Sequence, residues 1–202
     1  MARYGMVIDL KKCVGCTACA MACKAENGTP PGVWWGKVVM GERGEGTSAR
    51  RTALPSLCMH CSNAPCVQVC PTGASHKRAD GIVAVDYDKC MGCRYCEVAC
   101  PYDARTFVDG IEPYYPDFGF TPYEELMFKK HQAGVVEKCN FCLERVEQGQ
   151  EPACVQTCIA YARHFGDLDD PNSEVSKLIA QKHGYQLLPE LGTEPSVYYL
   201  PA

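Results

Sequence analysis

All 16 cysteines of this 202-residue chain fall into four compact groups of four, and no other feature constrains the fold as strongly. The groups have the spacings C-x2-C-x2-C-x3-C, C-x2-C-x4-C-x3-C, C-x2-C-x2-C-x3-C and C-x2-C-x11-C-x3-C. In chain order they are Cys13, Cys16, Cys19 and Cys23; Cys58, Cys61, Cys66 and Cys70; Cys90, Cys93, Cys96 and Cys100; Cys139, Cys142, Cys154 and Cys158. Thiolates are soft metal ligands, so four complete quartets predict metal-centred sites.

Groups one and three have the spacing that binds [4Fe–4S] clusters in bacterial ferredoxins, and group three also has the proline that follows it, Pro101. Group two is the same run lengthened by two residues and followed by Pro71, and group four contains a longer insertion. We therefore expect four [4Fe–4S] clusters with all 16 cysteines as ligands.

Two other uses of the cysteines fit the spacing less well. A structural zinc site uses two C-x2-4-C pairs, and this would leave the third cysteine of groups one and three without a role. A disulfide framework needs an oxidising compartment and gains little stability from cysteines three residues apart. The complete quartets favour iron–sulfur clusters over both.

The remaining composition is that of an ordinary globular protein, with 47% hydrophobic and 22% charged residues and a formal net charge of −4. The longest aliphatic run, residues 82–85, is far shorter than the roughly 20 apolar residues of a membrane span. The first ten residues contain neither an apolar signal segment nor paired arginines. The acidic balance also speaks against nucleic-acid binding.

Bound clusters would make the protein more acidic, because each oxidised [4Fe–4S] core with four thiolates has a charge of about −2. Seven basic residues lie close to the cysteines in the sequence. They either offset part of this charge or are ordinary solvated surface residues, and both interpretations stay open: Lys11, Lys12, Lys24, Lys89, Arg94, Lys138 and Arg145.

Local patterns predict short strands and helices around the cysteine groups. Segments rich in β-branched residues predict strands before groups one, three and four, at residues 6–9, 82–86 and 135–137. Helical turns are expected after the third cysteine of groups one and three, with further helices at residues 123–130 and 173–182. Residues 27–57 contain a glycine- and arginine-rich turn region. The mixture predicts an α+β fold with little conventional core and an apoprotein that is largely unfolded.

An internal repeat follows groups three and four. The sequence reads Cys-x3-Ala-Arg-x-Phe after both, from Cys100 to Phe107 and from Cys158 to Phe165. The repeat predicts a similar strand leaving each site, and it favours a duplicated bacterial two-cluster ferredoxin-like fold.

The residues outside the cysteine groups offer no catalytic constellation. There is no glycine-rich phosphate loop, no Ser/His/Asp pattern and no isolated cysteine. His60, inside group two, is expected to have a structural role or to support the cluster, because the thiolate set is complete without it. Aromatic residues at Trp34-Trp35 and in residues 108–134 either contact a partner or pack on the protein's own surface.

The order of the four groups, the wide gap from Cys142 to Cys154, and the segments 138–142 and 152–154 resemble one family. It is the four-cluster iron–sulfur subunit of molybdopterin oxidoreductases of the dimethyl sulfoxide reductase type, which includes polysulfide, thiosulfate and respiratory arsenate reductases. The resemblance extends from Tyr4 to about Tyr199. Ile159 departs from the proline that is frequent after group four, which affects a turn and not a ligand.

The resemblance also bears on which cysteines share a cluster. In two-cluster ferredoxins the fourth cysteine of a run binds the other run's cluster. Groups two and three are separated by only 19 residues and form the natural inner pair, and groups one and four pair in the family. The expected sets are Cys13, Cys16, Cys19 with Cys158; Cys58, Cys61, Cys66 with Cys100; Cys90, Cys93, Cys96 with Cys70; Cys139, Cys142, Cys154 with Cys23. The rival is sequential pairing of groups one with two and three with four.

This pairing predicts two ferredoxin-like units. The outer unit comprises residues 1–50 and 125–202 and contains groups one and four. The inner unit comprises residues 51–124 and contains groups two and three, with an aromatic and proline-rich insertion.

The resemblance implies a non-catalytic subunit that relays single electrons between a molybdopterin catalytic subunit and a quinone-linked membrane subunit, or another redox partner. The alternatives are a free-standing soluble polyferredoxin and an iron–sulfur subunit of a hydrogenase or formate dehydrogenase. Assembly is expected in the cytoplasm, because 16 thiols must stay reduced until the clusters are built. The final location is then the cytoplasmic or the periplasmic face of the cell membrane, within a complex.

Overall fold

Short strands and helices alternate along residues 2–202, the part of the chain that the computed structural model describes. The strands are β1 (Tyr4–Asp9), β2 (Gly36–Arg43), β3 (Arg50–Leu57), β4 (Ser75–Lys77), β5 (Val83–Val85), β6 (Thr106–Phe107), β7 (Val136–Glu137), β8 (Arg163–Asp167) and β9 (Val197–Leu200). The helices are α1 (Ala18–Asn27), α2 (Pro65–Gln68), α3 (Tyr95–Val98), α4 (Pro122–Met127), α5 (Leu143–Glu147), α6 (Ala153–Gln156) and α7 (Glu174–Gln181). The fold is α+β.

The largest sheet joins the two ends of the chain. Its strand order is β8-β1-β9, with β1 antiparallel to β8 and parallel to β9. Met6 lies opposite Phe165 in the first pair and Val197 in the second. The strand that precedes group one is therefore hydrogen-bonded to the strand that follows group four.

Three two-stranded sheets complete the structure: β2 with β3, β4 with β5, and β6 with β7, all antiparallel. The pair β4–β5 connects the end of group two to the start of group three. The pair β6–β7 connects the end of group three to the start of group four.

The strands predicted before groups one, three and four are confirmed as β1, β5 and β7. The repeat after groups three and four also forms a strand in each copy, β6 and β8. The helix predicted at residues 173–182 is α7, which begins after the cap Ser173. The one predicted at residues 123–130 is α4, followed by one 3₁₀ turn.

The hairpin β2–β3 differs from the turn region that its glycines and arginines predict. The two strands pair over eight residues each, from Gly36 opposite Leu57 to Arg43 opposite Arg50. The far end of the hairpin is solvent-exposed on both faces, so its sequence lacks the alternation that identifies a half-buried strand.

The core is built around the cysteines. Seven of them belong to one cluster of buried residues that also contains Met6, Ile8 and Tyr199 of the main sheet: Cys23, Cys58, Cys61, Cys66, Cys96, Cys139 and Cys154. Because side chains alternate along a strand, Val7 faces away from this cluster and packs with Val175 of α7. Helix α7 thus covers the face of the sheet opposite the cysteines.

Within the described residues, no helix is both long and apolar enough to cross a membrane.

Candidate iron–sulfur sites

The residue before the second cysteine has a positive φ in every group. The values are 68° at Gly15, 44° at His60, 71° at Gly92 and 59° at Phe141. This left-handed conformation favours glycine, which the sequence supplies in groups one and three only. The four loops therefore make the same turn, although His60 and Phe141 give no sequence signal for it.

A second position with a positive φ recurs three residues after the last cysteine of groups two, three and four. Gly73, Asp103 and Tyr161 have φ values of 68°, 48° and 47°. In group two the backbone N–H of Ser75, two residues further on, donates a hydrogen bond to Cys70 Sγ at 3.3 Å. In group four Ala162 N donates to Cys158 Sγ, also at 3.3 Å. Backbone donors of this kind favour the thiolate form that a metal ligand needs.

Two cavities are each lined by three cysteines of one group and one of another. One is lined by Cys13, Cys16, Cys19 and Cys158. The other is lined by Cys70, Cys90, Cys93 and Cys96. Cys158 thus lies beside group one, and Cys70 lies beside group three. Among residues 2–202, no group of three or more cysteine, histidine or carboxylate side chains has the geometry to hold a single metal ion.

The other two combinations lie deeper in the protein. Burial raises the pKa of Cys23, and the neighbouring Cys154 and Cys142 raise it further. Burial also raises the pKa of Cys139, and the nearby thiols of Cys23, Cys154 and Cys142 raise it further. Group-four cysteines and Cys23 therefore lie close enough together to repel one another as thiolates.

The same holds for Cys100 and group two. Burial raises the pKa of Cys61 to about 12, with contributions from Cys58, Cys66 and Cys100. Thiols with such pKa values stay protonated at neutral pH unless a metal displaces the proton. The buried sulfurs therefore require a strongly bound cation to become ligands.

Cysteine exposure separates the four combinations into two kinds. Cys16 and Cys93 are exposed, and Cys13 and Cys90 are partly exposed, so two combinations reach the surface. In the other two only Cys100 is not buried. The two buried combinations are neighbours, because Cys58 is one of the charges that act on Cys139.

His60 and Phe141, the equivalent turn residues of groups two and four, stack on each other between these buried combinations. Their ring centroids are 3.7 Å apart and their planes differ by 24°. The His60 ring is fully buried, and its Nδ1 accepts a hydrogen bond from Val83 N. The structural role expected for His60 thus includes joining two cysteine loops.

Buried donors without a protein acceptor test whether the site fits a cluster. Because His60 Nδ1 is an acceptor, its hydrogen is on Nε2, and Nε2 has no partner among the described residues. Arg105 Nη2 also has none, although the guanidinium lies beside Cys66. Unpaired buried donors next to cysteines fit sulfur acceptors, as cluster sulfurs are. The donor chemistry therefore fits [4Fe–4S].

The basic residues near the cysteines do not share one role. Lys138 is buried, and its ammonium donates to the backbone carbonyls of Val83 and Cys139. Lys24 donates to three backbone carbonyls in the loop after α1. By contrast, Lys89 and Arg94 are exposed and form ion pairs with nearby carboxylates.

A buried polar network next to Cys139 had no sequence signal. Glu137, two residues before Cys139, has no exposed surface and accepts hydrogen bonds from Trp35 Nε1 at 3.1 Å and His131 Nδ1 at 2.7 Å. His131 Nε2 donates to the carbonyl of Asn27 at the end of α1. The network ties α1, the residue before the hairpin and β7 together around group four.

The aromatic segments are partly packed on the protein itself and partly exposed. Trp35 is buried in this network, whereas Trp34 is 43% exposed and its ring faces the Lys24 ammonium. Tyr114 and Tyr123 donate to the backbone carbonyls of Thr29 and Ala25, so part of the aromatic segment packs on the protein itself. Tyr115 and Phe118 are exposed.

Comparison with known families agrees with this geometry. Two family models, each described as a 4Fe-4S dicluster domain, match the chain, one over residues 50–112 and 118–168 and the other over residues 12–74. These matches define the class: the chain contains 4Fe–4S dicluster domains.

Individual relatives narrow the class. A Halobacterium salinarum protein described as a dimethyl sulfoxide reductase iron-sulfur subunit is 48% identical over 99% of this chain and 79% of its own length. A selenate reductase subunit of Mesobacillus selenatarsenatis is 47% identical over 98% of this chain and 72% of its own length. The arsenate respiratory reductase iron-sulfur subunit of a Shewanella species is 40% identical over 98% and 96%. The chain belongs to this family of iron–sulfur subunits of reductase complexes, as the order of its cysteine groups predicts.

Proposed function

We propose that this chain holds four [4Fe–4S] clusters and relays single electrons between a molybdopterin catalytic subunit and a quinone-linked membrane subunit, or another redox partner. The observation that carries the proposal is that each cysteine group has one cysteine of another group beside it: Cys158 and Cys70 line cavities with groups one and three, and Cys23 and Cys100 lie near cysteines of groups four and two. Each cluster, when bound, supplies a one-electron redox centre.

The proposed ligand sets are those expected from the two-cluster rule, and each set has the number of the group that supplies three of its cysteines. The surface sets are supported by the cavities that Cys158 shares with group one and Cys70 shares with group three. The buried sets are supported by the mutual effects of Cys23 with group four and of Cys100 with group two.

We further propose a duplicated two-cluster ferredoxin-like fold, with residues 1–50 and 125–202 as the outer unit and residues 51–124 as the inner unit. The recurring positive-φ residues around the groups support duplication. The pairs β1–β8 and β4–β5 support the units, because each joins the strand before one group to the strand after its proposed partner.

The arrangement suits a relay. Sets one and three contain exposed cysteines, and the buried sets four and two are neighbours, which supports a relay in which each of two redox partners contacts one surface set. The relatives include subunits of a selenate reductase, an arsenate reductase and a sulfite dehydrogenase. We infer that the substrate and the direction of electron flow are decided by the catalytic partner.

Metal analysis tests the cofactor content. The anaerobically purified chain is expected to contain about 16 iron and 16 sulfide, four of each per cluster, with an absorbance that bleaches on reduction. Stoichiometric zinc with little sulfide would refute the proposal.

Paired substitutions test the ligand sets. Cys61→Ala with Cys100→Ala removes two ligands of one proposed cluster and is expected to cost about four iron. Cys61→Ala with Cys70→Ala removes ligands of two clusters and is expected to cost about eight. Sequential pairing predicts about eight iron lost in both double variants, because Cys100 would then belong with group four.

Purification from the native host tests the partners. The chain is expected to elute in a complex much larger than its own 22.2 kDa, together with a molybdenum-containing subunit. The isolated chain is expected to show no reductase turnover while still accepting electrons from a low-potential donor. Elution as a free 22.2 kDa carrier would favour a polyferredoxin instead. We place assembly in the cytoplasm and the finished complex at the cytoplasmic or periplasmic face of the cell membrane.

A further inference from the structure

We propose that Arg105 and Arg163 are equivalent potential-setting residues: each buried guanidinium lies between the two cysteine sets of one unit and raises the reduction potentials of the clusters held there. The inference rests on the proposed function and deepens it, since it assigns two residues that are not ligands to the control of electron transfer.

Arg163 touches both sets of the outer unit. Its Nη1 lies 3.7 Å from Cys154 Sγ of set four and 3.4 Å from Met6 Sδ. The same side chain lines the cavity that Cys13, Cys16, Cys19 and Cys158 surround. Only 6% of the residue is exposed.

Arg105 has the corresponding place in the inner unit and is 4% exposed. Its Nη1 donates to Ser75 Oγ at 2.9 Å, and the backbone N–H of Ser75 donates to Cys70 Sγ in set three. Burial alone would lower the pKa of Arg105, but Cys66, Cys96 and Cys58 around it outweigh burial and raise the pKa. These cysteines belong to sets two and three.

The two arginines are also equivalent in sequence. Each stands five residues after the last cysteine of its group and one residue after an alanine. Group two has the same spacing but a serine in place of the arginine, at Ala74-Ser75. This serine is the residue to which Arg105 donates its hydrogen bond. A repeated position with repeated burial points to a common role.

Neither guanidinium has a carboxylate partner within the described part of the chain. None of the ion pairs there includes Arg105 or Arg163. A buried charge without a counter-ion is strongly unfavourable. A cluster with four thiolates, at about −2, supplies the missing negative charge. Lys138, another buried cation near the cysteines, differs because its hydrogen bonds go to backbone carbonyls.

The effect on potential has a definite sign. Reduction adds one negative charge to a cluster, and a nearby fixed positive charge stabilises the reduced form more than the oxidised form. Burial keeps solvent from screening the interaction, and N–H donors to sulfur act in the same direction. Removing the charge is therefore expected to make the neighbouring clusters harder to reduce.

The test is an anaerobic redox titration of the full-length chain followed by electron paramagnetic resonance, after iron and sulfide have been measured. Arg105→Gln is expected to lower two of the four midpoint potentials by at least about 59 mV, which is a tenfold change in the one-electron reduction equilibrium. Arg163→Gln is expected to lower the other two. The control is Arg50→Gln, which removes an exposed arginine at the far end of the β2–β3 hairpin and is expected to leave all four reduction equilibria within threefold of the wild type.

Unchanged midpoints in both glutamine variants at full iron content would overturn the inference, as would a uniform shift of all four. If a glutamine variant loses iron, Arg105→Lys or Arg163→Lys at that position decides. A lysine variant with full iron and reduction equilibria within threefold of the wild type supports the role of the charge. A lysine variant that also loses iron would show that the arginine is purely structural and would overturn the inference. A wild-type chain without iron would instead refute the proposed function, so the two failures are distinguishable.

Discussion

His131 illustrates at the residue scale how hydrogen-bond partners decide protonation. One ring nitrogen faces the carboxylate of Glu137 and the other faces the carbonyl of Asn27, and both partners accept hydrogen bonds. Burial acts to lower the pKa of His131, but the hydrogen bond and the charge of Glu137 outweigh it and raise the pKa. The ring therefore keeps both hydrogens, as an imidazolium, to a higher pH than an ordinary histidine does.

The pair predicts a pH-dependent contribution to stability. Because the pKa of His131 is raised on folding, its contribution is complete below the unfolded value of about 6.5 and is lost as pH rises through the folded value. His131→Gln leaves Glu137 without its charged partner and is expected to destabilise the iron-loaded chain by about 3–5 kcal/mol at pH 6.

Anaerobic thermal unfolding of wild type and variant at pH 6 and pH 9 checks this prediction. The difference between the two proteins is expected to shrink at the higher pH. His76→Gln, which changes an exposed histidine, is the control and is expected to show no such trend. A difference that grows with pH would contradict the protonation state inferred from the hydrogen bonds.

At the scale of the element, Gly15 and Gly92 occupy the same turn in groups one and three but differ in what surrounds them. Their φ values are 68° and 71°, so alanine carries a similar backbone cost at both, about 1–2 kcal/mol. A Cβ on Gly92 would lie 2.3 Å from the carbonyl oxygen of Gly134, which is backbone beside β7. A Cβ on Gly15 would meet the methyl end of the flexible Met40 side chain at 2.9 Å.

Gly92→Ala is therefore expected to lose more iron and more thermal stability than Gly15→Ala. In the group-three loop a backbone segment must move. In the group-one loop the Met40 side chain can rotate, and only the milder contact with Ala53 Cβ at 3.1 Å remains. Iron content and the unfolding midpoint of the two purified variants measure the difference. An equal or larger loss in Gly15→Ala would show that the contact with Gly134 does not hold the group-three loop.

At the scale of the whole molecule, the cysteines lie inside the hydrophobic core, where seven of them pack with 16 other hydrophobic residues, so iron is expected to be a requirement for folding. Seven cysteine side chains lie in the main buried cluster, and burial raises the pKa of Cys23, Cys61 and Cys139 among them. Without metal, these thiols are protonated at neutral pH, and the loops that carry them lose the metal bonds that would hold them together.

Removal of iron by a chelator under reducing conditions is expected to abolish most of the far-ultraviolet circular dichroism in one cooperative step. Since each raised thiol pKa means that a proton competes with iron, the loss is expected to be faster at pH 5.5 than at pH 8. A chain that keeps its dichroism after complete iron removal would show that the β8-β1-β9 sheet and α7 fold independently of the clusters.

Short-range patterns were sufficient to identify much of this structure. The strands before groups one, three and four and the helix α7 follow from β-branched runs and capping residues within a few positions. The hairpin β2–β3 was missed because its exposed strands alternate weakly. The turn residues His60 and Phe141 were missed because neither residue type favours a positive φ.

By itself, the sequence determined the class of chemistry of this protein: 16 thiols in four quartets with ferredoxin spacing indicate iron–sulfur clusters, since spacing along a loop decides which sulfurs can reach one metal centre. Only the tertiary structure decided where charge lies around them. Arg94 is next to a cysteine in the sequence but lies in solvent with a carboxylate partner, whereas Arg105 and Arg163, no closer to a cysteine along the chain, are buried against sulfur. Burial and the absence of screening arise from segments distant in sequence packing together, and no local pattern records them.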